Sequence, residues 1–180
     1  QQAIADAGLD VASVSDPRIG VIAGSGGGSP EWQIATGDLM REKGVPADRL
    51  KVLTGDFSLE HGHQLTSEAL AEARGEGGFR FNAVFTSNDM MAIGAVRALK
   101  DHGIAVPDEV EVIGFDDIEI ARLVEPPLST ISQPGLEMGA RSAELLLRMI
   151  EGKKPRPKTL VMKPGLVLRG TTRKLTEEKK

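Results

Sequence analysis

The sequence contains no cysteine and no tyrosine, and only 3% of its 180 residues are aromatic. Without cysteine the chain can form no disulfide, no thiolate metal site and no cysteine nucleophile. So few aromatic side chains also argue against a base-stacking surface for nucleic acid. No run approaches the ~18 apolar residues of a membrane span, and the first residues do not follow the pattern of a signal peptide. We therefore expect a cytoplasmic protein, and, because the chain does not begin with methionine, a fragment or a recombinant product.

A surplus of basic charge is also missing. The chain has 22 basic and 26 acidic residues, a net charge of −4 and a pI near 5.5. This balance argues against a nucleic-acid surface spread over the whole chain. The basic residues near the end lie among prolines or beside glutamates, which predicts a solvated loop and a tail at 174–180. We expect neither nucleic acid nor a membrane as a partner of this chain.

The chain does have a regular alternation of short β-branched runs with longer helical patterns. Predicted strands lie at 18–23, 50–54, 83–86 and 110–114. Predicted helices lie at 32–43, 59–73 and 89–101, with apolar residues at spacings of three and four. Gly103 and Pro107 mark the stop of the third helix and the turn that follows it. This alternation predicts right-handed β-α-β units and an α/β fold, with a parallel sheet covered by helices on both faces.

The last third of the sequence changes character after Pro126 and Pro127. A strand is predicted at 128–132 and an amphipathic helix at 136–150. Segments 160–162 and 165–168 then predict a closing hairpin. No internal repeat interrupts this order.

Ligands of open α/β sheets bind in the crevice beyond the carboxyl ends of the strands. Four short polar loops follow predicted strands and are candidates for such a crevice: 25–29, 55–57, 87–89 and 115–117. The first loop is glycine-rich, but Ser29 stands where a dinucleotide fingerprint needs its third glycine, and no Lys follows as in a phosphate loop. We interpret it as a flexible turn that leads to a helix with Pro30 near its first turn.

The other loops leave alternatives open. Asn88 lies in Ser87-Asn88-Asp89, where one polar residue is expected to cap the following helix, or it faces a ligand as donor and acceptor. Asp116 and Asp117 are of the type that serves acid–base or metal chemistry, but no histidine or acidic cluster lies at a ligand-like spacing. We therefore expect Asp116 to accept hydrogen bonds from a ligand and Asp117 to cap the next turn.

A metal site is not expected. His61 and His63 are two positions apart on a predicted helix and do not share a face, so we interpret them as solvent-facing polar residues. No Ser/His/Asp arrangement has a specific spacing. We predict no metal, no cofactor and no catalytic residue.

Four segments carry a resemblance to a known family: AVFTSNDMMAIGAVRALK at 83–100, VPDEVEVIGFDD at 106–117, EPPLSTISQP at 125–134 and PGLVLRGTTR at 164–173. Together they resemble the effector-binding core of the lactose-repressor (LacI/GalR) family of bacterial transcription regulators, over about residues 34–173. The resemblance implies a periplasmic-binding-protein-like lobe, also described as flavodoxin-like, that closes on a sugar, a purine or a similar small effector. It also implies a homodimer formed through the core.

The resemblance assigns four ligand-binding positions. Asn88 lies where a ligand contact is common, and Asp116 at the aspartate that bonds effector hydroxyls or ring nitrogens. Phe57 matches a position where an aromatic ring can stack on the ligand, and Gln133 falls near the crossover between lobes. One departure is that Ile34-Ala35-Thr36-Gly37 replaces a motif that usually carries an effector-clamping arginine. The DNA-reading helix-turn-helix, the hinge helix and most of the N-terminal lobe also have no counterpart, so half of the cleft is expected to be missing.

The first residues resemble a different family. Segment 1–31, with its helix, loop, strand and glycine turn, is similar to the early region of type I β-ketoacyl-acyl-carrier-protein synthases. The condensing cysteine of those enzymes has no counterpart here, so no enzyme activity is expected. The sequence thus predicts a chimera of this segment with a repressor-like lobe at 32–173, and an engineered origin, with a divergent natural regulator as the alternative. We expect small-molecule effector binding without catalysis; the other hypothesis is a chimeric α/β scaffold with no retained activity.

Overall fold

The computed structural model describes residues 51–75, 80–154 and 160–173. The predicted strand at 18–23, the helix at 32–43, the glycine loop, the altered clamp motif and the tail lie outside these ranges. Within the described part, the elements follow in this order: α1 Leu59–Ala73, β1 Ala83–Phe85, α2 Asp89–Asp101, β2 Glu111–Asp116, a 3₁₀ helix Glu119–Arg122, β3 Ser129–Ser132, α3 Gly135–Ile150 and β4 Gly165–Val167. None of these helices is long and apolar enough to cross a membrane.

The four described strands form one sheet in the order β1-β2-β3-β4. β1 pairs with β2 in parallel, and Asp116 at the end of β2 lies opposite Ser132 of β3, also in parallel. β4 closes the sheet antiparallel to β3. This largely parallel sheet confirms the predicted α/β class.

Capping residues set the bounds of α1 and α2. The Ser58 hydroxyl accepts a hydrogen bond from the backbone N–H of His61 at 3.1 Å, which caps the first turn of α1. Asn88 caps α2 in the same way. Gly103, with a φ of +73°, follows the end of α2 in the left-handed conformation that stops a helix. Both helices begin and end at the residues that the sequence pattern predicts.

Helix α2 forms the centre of the core, because it packs on β1 and β2 with one side and on α1 with the other. The core cluster consists of apolar residues from these elements and the segments around them, among them Leu65, Leu70, Val84, Met91, Ala92, Leu99, Val112 and Leu128. The two helices approach closely through glycine. A Cβ atom added at Gly94 would lie 2.0 Å from the carbonyl oxygen of Leu59, and one at Gly62 would lie 2.3 Å from that of Met91.

Helix α3 has the predicted position and an amphipathic pattern, but none of its residues is buried. Its large apolar side chains are exposed, with Leu136 at 93% and Ile150 at 72% of their full surface.

Two strand predictions are wrong. Residues 51–54 are not in a strand, and the described sheet has β1 at its edge, paired only with β2. Leu53 packs on the core instead, whereas Val52 is exposed. The hairpin of 160–162 with 165–168 is not formed either. Its two-residue turn would be Lys163-Pro164. Proline cannot adopt the positive φ that a type I′ turn needs at this position, and lysine stands where a type II′ turn prefers glycine. β4 pairs with β3 instead.

Candidate functional site

Three of the four predicted ligand-binding residues lie where adjacent parallel strands end. Asn88 comes three residues after β1, Asp116 is the last residue of β2, and Gln133 directly follows β3. Neighbouring strands are about 4.8 Å apart, so the three positions span roughly 10 Å along the carboxyl edge of the sheet. We call Phe57, Asn88, Asp116 and Gln133 the rim. Its place is the one that sheet topology gives to ligand sites in open α/β folds.

Asp116 and Gln133 are in direct contact. The Gln133 side-chain amide donates a hydrogen bond through Nε2 to the Asp116 carboxylate at 2.5 Å, and both residues are half-buried. The pair therefore presents a carboxylate acceptor and an amide that both donates and accepts, side by side on two strand ends.

The Asn88 side chain contacts its own helix and the loop before α1. Its Oδ1 accepts from the backbone N–H of Met91 at 2.9 Å, so the capping alternative is confirmed. Its Nδ2 donates to the carbonyl oxygen of Phe57, also at 2.9 Å. Phe57 has a φ of +67°, a conformation that costs free energy in a non-glycine residue. This second hydrogen bond therefore links Asn88 to Phe57, the rim residue that precedes α1.

The loop after β2 differs from the prediction at Asp117. Asp116 and Asp117 both have positive φ, +113° and +58°. The 3₁₀ helix that follows is capped at Ile118 without a side-chain hydrogen bond, so Asp117 is not its cap. The carboxylate of Asp117 instead accepts a hydrogen bond from Arg169 Nη2 at 2.6 Å. Both side chains of this ion pair are only 16% exposed.

Asp89 also belongs to this region, although the sequence pattern assigns it no role. Its carboxylate is fully buried and accepts from the backbone N–H of Ile118 and the hydroxyl of Thr130. Burial raises the pKa of this carboxyl above its usual value, against the effect of those two hydrogen bonds. The signal available in the sequence is an acidic residue directly after Asn88, which already serves as the cap of α2.

The histidines of α1 pair with carboxylates. His61 Nδ1 lies 3.2 Å from Asp56, and His63 Nε2 lies 2.9 Å from Asp101 at the end of α2. The hydrogen bond with His63 lowers the pKa of Asp101, and hydrogen bonds from Ser58 lower the pKa of Asp56. No group of three metal-binding side chains occurs among the residues that the structure describes.

A separate cleft of about 530 Å³ lies between α3 and residues 160–163. Its charged lining residues are Glu137, Arg141, Glu144, Arg148 and Lys163. Arg141 and Glu144 pair with each other at 3.1 Å. None of the rim residues lines this cleft.

A largely parallel sheet with polar residues at its carboxyl edge is the architecture of small-molecule-binding α/β lobes. The chain belongs to the periplasmic binding protein-like domain family, whose model matches residues 17–172. The match includes 17–31, part of the segment that resembles a synthase; that second resemblance stays a prediction.

Its relatives are transcription regulators. The HTH-type transcriptional repressor PurR of Vibrio parahaemolyticus is 37% identical over 136 residues, which are 76% of this chain and 39% of the repressor. The HTH-type transcriptional regulator DegA of Bacillus subtilis is 33% identical over 169 residues, 93% of this chain and 48% of the regulator. The chain thus spans less than half the length of these relatives.

Solved structures of transcription regulators share the fold. A complex of the transcriptional regulator CelR with cellobiose has a TM-score of 0.74 and 30% identity, covering 87% of this chain and 47% of the regulator. A LacI family regulator from Enterococcus faecium with bound ribose has a TM-score of 0.69 and 28% identity, covering 89% and 58%. A dimeric Lac repressor with a C-terminal deletion and one substitution has a TM-score of 0.76 and 28% identity, covering 89% and 57%.

Proposed function

We propose that the chain is the effector-binding part of a LacI-type transcription regulator and that its rim binds a small molecule of the sugar or purine class. The observation that carries this proposal is the row of Asn88, Asp116 and Gln133 on three adjacent strand ends, with Asp116 and Gln133 hydrogen-bonded to each other. The cellobiose and ribose bound by two related regulators support the sugar class. A regulator of this kind acts in the cytoplasm, which is part of the proposal.

The chemistry of the rim suits a ligand with several hydroxyl or ring N–H groups. A hydroxyl can donate to the Asp116 carboxylate while its oxygen accepts from the Gln133 amide. Asn88 has two N–H donors, of which the Phe57 carbonyl takes one. The ring of Phe57 supplies an aromatic face on which a sugar or purine can stack. The ligand-binding role of all four residues is part of this proposal.

Thermal melts of the purified chain with D-ribose, cellobiose, lactose, hypoxanthine and guanine test the proposal. A compound present at about 100 times its Kd adds roughly 2.7 kcal/mol to the free energy of unfolding, which raises the midpoint by several degrees. We expect the shift to disappear in Asp116→Ala and to persist in Asp108→Ala, a matched change of an exposed aspartate before β2.

The alternative is a chimeric α/β scaffold, engineered from the synthase-like segment 1–31 and the repressor-like lobe 32–173, with no retained activity. It is supported by the second resemblance and by the exposed apolar face of α3. It predicts a cooperative melt that no compound shifts.

We also propose that the chain forms a homodimer. The exposed large apolar side chains of α3 support self-association, because soluble monomers seldom expose large contiguous apolar patches. A related Lac repressor that carries a C-terminal deletion is a dimer. Sedimentation velocity over a range of protein concentrations tests this: a sedimentation coefficient that stays at the monomer value contradicts it.

A further inference from the structure

The turn that follows β2 has an uncommon backbone conformation. Asp116 and Asp117 have φ values of +113° and +58° in succession. Positive φ is uncommon in residues with a Cβ atom, and such strained conformations persist only where surrounding contacts hold them, often at functional sites. The turn also carries the Asp116 carboxylate of the rim. Contacts that hold the turn therefore decide where this carboxylate lies.

Asp89 holds the turn from the side of α2. Its Oδ2 accepts from the backbone N–H of Ile118 at 2.9 Å, and its Oδ1 accepts from Thr130 at 2.5 Å, so one carboxylate joins α2, the turn and β3. The carboxylate lies directly over β2, because a Cβ atom added at Gly114 would be 2.2 Å from Oδ1. Glycine at 114 thus leaves the space that the Asp89 side chain occupies.

Arg169, in the segment after β4, also holds the turn. It lies 52 residues from Asp117 in sequence and donates to its carboxylate at 2.6 Å. A second guanidinium N–H donates to the carbonyl oxygen of Leu128 at 2.8 Å, and the backbone N–H of Arg169 donates to the hydroxyl of Ser129 at 2.7 Å. Two of these three contacts anchor Arg169 at the start of β3, and the third fixes its guanidinium against the turn.

We propose that Asp89 and Arg169 are positioning residues of the rim: together they hold Asp116 and Asp117 in their positive-φ conformation and thereby keep the Asp116 carboxylate against Gln133. Neither residue belongs to the rim itself. The consequence for ligand affinity rests on the proposed function, whereas the effect on the turn does not.

The positioning role is tested by NMR on the full 180-residue chain. Asp89→Ala and Arg169→Gln each remove the side-chain groups that contact the turn. The matched controls are Asp101→Ala, at the other end of α2, and Arg173→Gln, whose side chain pairs with Glu111 at the opposite end of β2. The readouts are the hydrogen exchange of the Ile118 amide, the backbone shifts of Asp116 and Asp117, and the side-chain NH₂ resonances of Gln133.

In both positioning variants we expect the shifts of Asp116 and Asp117 to move away from left-handed values, with Gln133 NH₂ resonances moving toward those of a solvated amide. Exchange of the Ile118 amide should speed up at least tenfold in Asp89→Ala. The controls should leave all three readouts unchanged, and Arg169→Lys should be intermediate, because an ammonium cannot reproduce the planar two-point contact. If Asp89→Ala does not fold, the NMR readouts of Arg169→Gln alone decide whether the turn is held by these contacts.

A titration with D-ribose, cellobiose and hypoxanthine separates this proposal from the proposed function. Where one of them binds the wild-type chain, we expect about tenfold weaker binding in each positioning variant, as for loss of one hydrogen bond to a charged group. If none binds, the proposed function fails for these compounds, and the NMR readouts still decide the positioning role. The positioning role is contradicted if the signals of the turn and of Gln133 are unchanged in the variants. It is also contradicted if the turn relaxes while ligand binding is undiminished.

Discussion

At the scale of single residues, the strand-end loops of this lobe use most of their polar groups on the fold itself. Asn88 caps α2 and tethers Phe57, and Asp89 joins α2 to the turn after β2. The sequence could indicate that these loops carry polar groups at one edge. It could not indicate which of them bond to backbone, because those partners are as far away as Phe57 and Ile118.

The buried carboxyl of Asp89 should make stability depend on pH. Its pKa in the folded chain is raised above 3.8, the usual value. The neutral carboxyl therefore makes its full contribution to the free energy of unfolding below pH 3.8, and this contribution is lost as the pH rises through the folded pKa. Asn at this position does not titrate. We therefore expect Asp89→Asn to gain stability relative to the wild type as the pH rises through this window, and the difference to level off above it. Urea denaturation at a series of pH values measures this; a difference that is flat or falls with pH contradicts it.

Asn88 offers a second prediction at this scale. Asn88→Ala removes the cap of α2 and the tether of Phe57, which should lower the free energy of unfolding by about 1–2 kcal/mol. Ser87→Ala is the matched control, because the Ser87 hydroxyl makes only a 3.8 Å contact with the sulfur of Met91. Urea denaturation of the three chains gives both values; equal stabilities of the two variants would show that the Asn88 contacts contribute little.

At the scale of elements, helices α1 and α2 follow from the sequence because apolar periodicity and local caps both act within a few residues. The strand prediction at 50–54 failed for the opposite reason. A strand depends on hydrogen bonds to a neighbour that lies far away in sequence, and a short apolar run does not specify one. The turn at Pro164 shows that covalent constraints within the sequence can exclude a hairpin that alternation alone suggests.

Two helical glycines make the packing of α1 on α2 testable. Gly94→Ala places a methyl group against the backbone of Leu59 and should destabilise the chain by about 1–3 kcal/mol, despite the better helix propensity of alanine. Gly139→Ala in α3 meets nothing within 4 Å, so helix propensity should dominate and stabilise the helix by up to about 1 kcal/mol. Circular dichroism melts of both variants measure the contrast. Similar shifts in the same direction would mean that the close helix contact is absent.

At the scale of the whole molecule, amphipathicity indicates that a helix face requires a partner but does not identify it. Helix α3 shows this, because its sequence predicts an amphipathic helix and its large apolar side chains are exposed in the structure. The rim shows the same limit. Its position follows from strand ends, whereas the left-handed turn and the contribution of Arg169 depend on a segment 52 residues away.

The exposed face of α3 gives a prediction for assembly. Leu147 and Ile150 are 61% and 72% exposed, so changing both to Gln should alter the free energy of unfolding by no more than about 0.5 kcal/mol per site. If the homodimer forms through this face, the double variant should sediment as a monomer at concentrations where the wild type associates. Leu123→Gln, at a 74% exposed residue outside α3, is the control and should leave association unchanged. A double variant that associates as the wild type does would place the interface elsewhere.

The most direct test of the rim as an effector site is an amide and side-chain NH₂ chemical-shift titration of the ¹⁵N-labelled chain with D-ribose, cellobiose and hypoxanthine at millimolar concentration. We expect one compound to give saturable shifts concentrated at Phe57, Asn88, Asp116 and Gln133, and Asp116→Ala to abolish them. Saturable shifts confined to the cleft between α3 and residues 160–163, or a folded chain whose rim signals no compound moves, would contradict effector binding at the rim.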